Sequence, residues 1–149
     1  MSPRFCFFPE DGTNIYAILM VGTTNQAYAS VDAITFVAST LPATNYTGVA
    51  WTGSLWVAVG TNKCATSPDG INWTAQTMPA GSWVSLKWNG SVLCTINSSG
   101  SLSATSPDGI IWTTHIMPAG FWGNLGVTAG GVFFIYAPGS ATVTFAPKV

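Results

Sequence analysis

Ser67-Pro68-Asp69-Gly70-Ile71-Asn72-Trp73-Thr74 returns almost letter for letter as Ser106-Pro107-Asp108-Gly109-Ile110-Ile111-Trp112-Thr113. The duplication extends outward from both words. Met78-Pro79-Ala80-Gly81-Ser82-Trp83 follows the first and Met117-Pro118-Ala119-Gly120-Phe121-Trp122 the second, while Trp51-Thr52-Gly53 and Trp88-Asn89-Gly90 precede them. From Trp51 to Trp88 is 37 residues, and from Ser67 to Ser106 is 39. A degraded copy, Ser30-Val31-Asp32-Ala33-Ile34-Thr35-Phe36, starts 37 residues before Ser67. A shortened copy runs from Leu125 through Gly130-Gly131-Val132-Phe133-Phe134-Ile135-Tyr136 without the word itself. A fixed period of this length means stacked copies of one small supersecondary unit. The chain therefore reads as one repeat domain, with units at approximately 1–44, 45–81, 82–120 and 121–149.

Within a unit, short apolar runs alternate with turn residues. The second unit offers strands at 47–51, 55–59, 63–66 and 72–77, and the third at 84–88, 92–96, 102–105 and 111–116. The first offers 4–8, 15–21, 27–30 and 35–39, and the fourth 125–128, 132–136 and 142–145. Pro68-Asp69-Gly70 is a tight turn, with proline presetting φ and glycine taking a positive φ. Prolines and glycines recur too often for long helices. Four strands in about 40 residues is the arithmetic of a propeller blade. The expected fold is all-β, a β-propeller of about four blades, closed as a small ring or left as an arc that oligomerisation completes. A β-prism or a β-sandwich is the alternative. The apolar runs 55–59, 92–96 and 132–136 suit strands packed on both faces, and are expected to be the innermost strands.

Composition narrows the function classes. Nearly half of the 149 residues are apolar and only 6% are charged, so Ser, Thr, Asn and Gly must supply the polar surface. Such a surface suits a protein packed into an assembly better than a highly soluble monomer. Lys and Arg total four, which argues against nucleic-acid binding through phosphate neutralisation. The longest apolar run, Ile15 to Val21, covers seven residues. A helix that inserts into a membrane needs roughly 20. The first residues lack the basic-then-apolar layout of a secretory signal.

The inventory of reactive groups is short. The acids are Glu10, Asp11, Asp32, Asp69 and Asp108, three of them at equivalent turn positions in different units. Glycoside hydrolysis usually needs two carboxylates facing one cleft. His115, the sole histidine, stands where the second unit has Gln76. Cys6, Cys64 and Cys94 have no paired spacing and read as small buried hydrophobes, so neither a metal site nor a cofactor is expected. Seven tryptophans are many for this length. Trp83 and Trp122 follow equivalent Pro-Ala-Gly loops and are the candidate binding aromatics, with blade-to-blade packing as the competing reading. Ser67, Asp69, Gly70 and Trp73, with Ser106, Asp108, Gly109 and Trp112, read as structural turn residues. Each aspartate accepts backbone N–H groups of its own turn, and each tryptophan packs between blades.

The Ser-Pro-Asp-Gly-x-x-Trp-Thr word resembles the Asp-box of sialidase-type propellers, with one residue fewer between aspartate and tryptophan. It is similar also to repeats of bacteriophage tail and other virion proteins. A sialidase clamps its substrate with several arginines, and Arg4 is the only arginine here. The resemblance implies a non-catalytic virion component, such as a tail fibre, baseplate or capsid-surface protein. It would form a homo-oligomer located on the virion, with other virion proteins and host-surface glycans as partners. A glycan-binding lectin is the alternative, and a hydrolase ranks last.

Overall fold

A computed structural model describes residues 4–7, 17–20, 24–32, 34–98, 100–118, 123–136 and 143–144. The repeats fold as separate antiparallel sheets joined in chain order. The first sheet holds β1 (Arg4–Phe7), β2 (Ala17–Met20), β3 (Gln26–Ser30) and β4 (Val37–Thr40). The second holds β5 (Tyr46–Trp51), β6 (Trp56–Gly60), β7 (Lys63–Ser67) and β8 (Thr74–Gln76). The third holds β9 (Trp83–Trp88), β10 (Leu93–Asn97), β11 (Leu102–Ser106) and β12 (Thr113–Ile116). The fourth pairs β13 (Asn124–Val127) with β14 (Phe133–Tyr136), and β14 with β15 (Val143–Thr144). Every sheet is a simple meander in which sequence neighbours pair. Among the described residues there is no helix, and the fold is an all-β propeller.

The strand that leads each sheet faces the next leading strand. β1 packs on β5, β5 on β9 and β9 on β13. This corrects one expectation from the sequence. The apolar runs of β6, β10 and β14 are the second strands, not the innermost ones. Every residue of β6 and β10 is buried because strands flank each on both sides within its sheet, and neighbouring sheets cover both faces. An inner strand has one side turned to the propeller axis and needs less apolar surface.

Three apolar clusters fill the gaps between consecutive sheets. Ala27 and Leu41 of the first unit meet Tyr46, Val49, Trp56, Ala58 and Ala65 of the second. Val57, Val59 and Cys64 meet Trp83, Leu86, Leu93 and Ala104 of the third. Cys94 and Ile96 meet Leu125, Phe133 and Ile135 of the fourth. Each unit alone leaves a bare apolar face, and stacking covers it. Trp56, Trp83 and Phe133 are the largest fully buried side chains. Burying a large apolar side chain contributes about 1.5–3 kcal/mol.

The inner strands are also tied by hydroxyls placed on β-bulges. Pairing of β5 with β6 slips between Tyr46 and Gly48, and pairing of β9 with β10 slips opposite Thr95. Thr47 and Ser85 sit at these irregularities. The Thr47 hydroxyl donates to the Trp83 carbonyl of the next inner strand, and the Ser85 hydroxyl accepts the Leu125 N–H of the one after (2.9 Å). A bulge turns a side chain out of its regular alternation. Here it aims a hydroxyl at the following sheet.

Candidate functional site

The duplicated word closes the turn between the third and fourth strands of its sheet. Asp69 Oδ1 accepts the Ser67 hydroxyl (2.9 Å), the Ile71 N–H (2.9 Å) and the Asn72 N–H (2.8 Å), and Oδ2 accepts the Asn72 side-chain amide (2.7 Å). Asp108 Oδ1 accepts the Ser106 hydroxyl (3.0 Å), the Ile110 N–H (2.9 Å) and the Ile111 N–H (3.0 Å). The degraded copy does the same, since Asp32 Oδ1 accepts the Ser30 hydroxyl and the N–H groups of Ile34 and Thr35. These bonds occupy the backbone donors that would otherwise extend the fourth strand. β8 and β12 therefore begin at Thr74 and Thr113, later than the sequence suggested.

The same bonds favour the ionised carboxylates. Backbone donation from Thr35 and Ile34 lowers Asp32 to about 2. At Asp69, desolvation raises the pKa, but the combined donation from Asn72, Ile71 and Ser67 outweighs it and brings the group to about 2. Asp108 is lowered chiefly by the Ile111 N–H, with desolvation opposing.

The turns also clasp the preceding sheet. Trp73 Nε1 donates to Gly70 O (3.0 Å) and to the Ser39 hydroxyl of the first unit (3.1 Å), which itself donates to Ile71 O (2.8 Å). Trp112 Nε1 donates to Gly109 O (3.2 Å), and its ring packs on the cluster between the second and third sheets. Gly109 has φ +75°, and a Cβ there would lie 2.6 Å from Val57 Cγ2 of the preceding sheet. Its carbonyl accepts the Cys64 thiol (3.3 Å). Burial pushes that thiol up to about 12, against the hydrogen bonds from Trp112 and Ala65.

Beside the third-unit turn lies a shallow groove of about 380 Å³. Thr52, Ser54 and Leu55 line it from the β5–β6 turn, Trp88 from the end of β9, and Pro107, Asp108 and Ile110 from the β11–β12 turn. It runs radially, from the inner strand β9 toward the periphery, across the face that carries these turns. The Thr52 hydroxyl is engaged, donating to Leu55 O (3.1 Å) and accepting the Leu55 N–H (3.0 Å). Sequence reasoning picked Asp108 as a turn residue but missed the groove, because three separate segments build it. One signal was legible. Where the second copy has Ile111 and Leu93, the first has Asn72 and Trp56.

Trp83 was a candidate binding aromatic, and this is corrected. It exposes 0% of its surface, and its Nε1 donates to Pro79 O (2.7 Å). At the start of β9 it lies at the opposite end of that strand from Trp88, inside the sheet-to-sheet cluster. Trp122, Glu10 and Asp11 lie outside the described residues. His115 is on the outermost strand β12, where Nε2 shares a hydrogen bond with Thr105 Oγ1 (2.7 Å); Gln76 makes the equivalent bond to Thr66 Oγ1 (3.0 Å). Cys64 and Cys94 are buried in different sheet-to-sheet clusters. Among the described residues, no three metal-ligating side chains converge.

No family model matches the sequence, and no curated protein sequence does. Solved structures do match in fold. A selenomethionine-substituted virginiamycin B lyase from Staphylococcus aureus superposes with a TM-score of 0.74 at 11% identity, over 99% of this chain and 56% of that one. A streptogramin B lyase gives 0.71 at 8% identity, over 89% of this chain and 47% of that one. Glutaminyl cyclase from Myxococcus xanthus gives 0.56 at 14% identity, over 84% and 64%. The chain thus spans about half the length of the lyases it matches. These neighbours overturn the expectation of a non-catalytic virion component and the exclusion of enzymes that went with it. They are enzymes, and none of them is a virion protein. The virion location rested on that reading alone. At these identities the likeness carries the fold, and by fold this chain is a β-propeller.

Proposed function

We propose that the protein is a ligand-binding arc of a propeller enzyme, and that the radial groove between its second and third units holds part of the substrate. The groove carries the reading. It pairs apolar walls, Leu55, Trp88 and Ile110, with a carboxylate and a hydroxyl, Asp108 and Ser54. Small-molecule sites combine surfaces in this way. At about 380 Å³ it is at the small end for such sites, which suits one portion of a larger substrate. The fold neighbours favour an enzyme over a passive scaffold, as an analogy of architecture. The turn that supplies Asp108 keeps the Asp-box role named from the sequence, and its hydrogen bonds support that kinship.

The rest of the ring comes, on this reading, from a second copy. Consecutive sheets here bury apolar side chains between their faces, and a second copy would continue that stacking. Chemical-shift mapping with a set of small aromatic amides, amines and alcohols tests the groove. Saturable shifts gathered at Leu55, Trp88 and Ile110, and lost in Trp88→Ala, are expected. Shifts gathered elsewhere, or none, overturn the reading.

A further inference from the structure

The two full copies differ at positions that neighbour the groove's Asp108 and Trp88. In the second unit both oxygens of Asp69 are taken, the second by the Asn72 amide. In the third, Ile111 stands at the place of Asn72, and Asp108 Oδ2 receives no hydrogen bond among the described residues. A similar change affects the indole. Trp51 leans on Trp56, with ring centroids 5.1 Å apart, and the two pair across β5 and β6. Trp88 pairs across the sheet with Leu93 instead, so its ring has no aromatic partner among the described residues. An open carboxylate oxygen and an unstacked indole thus line one groove, between the apolar side chains of Leu55, Pro107 and Ile110.

The geometry points to this groove as a binding site for an organic cation, a substituted ammonium that pairs with Asp108 Oδ2 and lies against the face of Trp88. This inference rests on the groove reading above and adds the charge of the ligand. A ring face attracts a cation through its quadrupole, and a neighbouring carboxylate adds direct attraction. A hard metal ion is disfavoured, because calcium takes six or more oxygen ligands and the groove presents one carboxylate and hydroxyls. The turn hydrogen bonds hold the Asp108 carboxylate ionised at neutral pH, which keeps the attraction constant there.

The test compares choline with its uncharged carbon isostere, 3,3-dimethyl-1-butanol, by NMR titration of the intact chain at the Trp88 indole N–H. Choline, whose quaternary nitrogen carries no N–H, is expected to bind about ten-fold tighter, consistent with one ion pair and one ring contact. Asp108→Asn, which keeps the turn's acceptor, should remove most of that preference, whereas Asp69→Asn should leave it unchanged. Trp88→Leu should lose the ring's share of it, and Trp88→Phe less than Trp88→Leu. Equal affinity for the two probes would leave the groove standing and overturn the cation. No binding of either at the groove would overturn both. A preference that survives in Asp108→Asn would also overturn the assignment.

Discussion

In the second unit the turn carboxylate is consumed by its own chain, with both oxygens satisfied and the Trp51 indole tilted against another ring. In the third unit the same eight-residue word leaves one carboxylate oxygen without a hydrogen bond among the described residues, and Trp88, which lines the groove with it, has no aromatic partner there. Two letters separate the cases, Asn72 against Ile111 and Trp56 against Leu93. Repeats share a fold through the letters they keep, and they acquire binding chemistry at the letters they change.

The largest effect should come from the letter both words keep for steric reasons. Gly109→Ala places a Cβ into Val57 at a backbone angle of +75°, so it combines overpacking with left-handed strain. A loss of about 2–4 kcal/mol is expected in denaturant unfolding. A loss under about 0.5 kcal/mol would mean that the turn does not press on the preceding sheet. Next is the clip itself. Asp69→Ala removes the acceptor for four hydrogen bonds and Asp108→Ala the acceptor for three, so each should cost about 1–2 kcal/mol, Asp69 the more. Equal losses would show that the fourth bond contributes nothing.

The clips also set the acid limb of stability. Asp32 and Asp69 are held near 2 in the fold, below the ordinary carboxylate range around 4, and Asp108 is shifted the same way. A depressed folded pKa contributes stability that is present above the unfolded value and lost as pH falls through the folded one. Unfolding free energy should therefore drop between pH ~4 and ~2. In the triple variant Asp32→Asn, Asp69→Asn, Asp108→Asn that slope should flatten, and parallel profiles would show that the shifts lie elsewhere.

A gentler change sharpens the contrast between the turns. Ile111→Asn restores the second acceptor–donor pair, so it should add about 0.5–1 kcal/mol and close the groove's open oxygen to choline. At the bottom of the scale, His115→Gln copies what Gln76 already does against Thr66, and should change stability by less than about 0.5 kcal/mol.

Much of the architecture was legible because the repeat prints it several times. The period gave the units, and Pro68-Asp69-Gly70 marked the turn. Phe36 and Ala33 did not hide the degraded copy, since Asp32 alone supplies the acceptor. What stayed hidden depends on juxtaposition. The run 55–59 signals burial, but a strand central to its sheet and a strand nearest the axis look alike in one dimension. Trp83 follows a Pro-Ala-Gly loop that suggested a rim, yet its indole N–H turns back to Pro79 and buries the ring. The groove needs residues 52–55, 88 and 107–110 together, and only the register of two sheets brings them there. The expectation of a non-catalytic protein is overturned by fold neighbours that are enzymes, a likeness that a list of reactive side chains does not carry.

The bulge hydroxyls of Thr47 and Ser85 have a bearing on ancestry. Each reaches from one blade to the following one, so the two joints they bridge are head-to-tail and reuse similar parts. A gene segment encoding a single blade could be copied or dropped in frame, and the new neighbours would meet through the same handshake. Blade number in such a molecule is free to drift, and only the curvature of the finished ring decides which numbers survive.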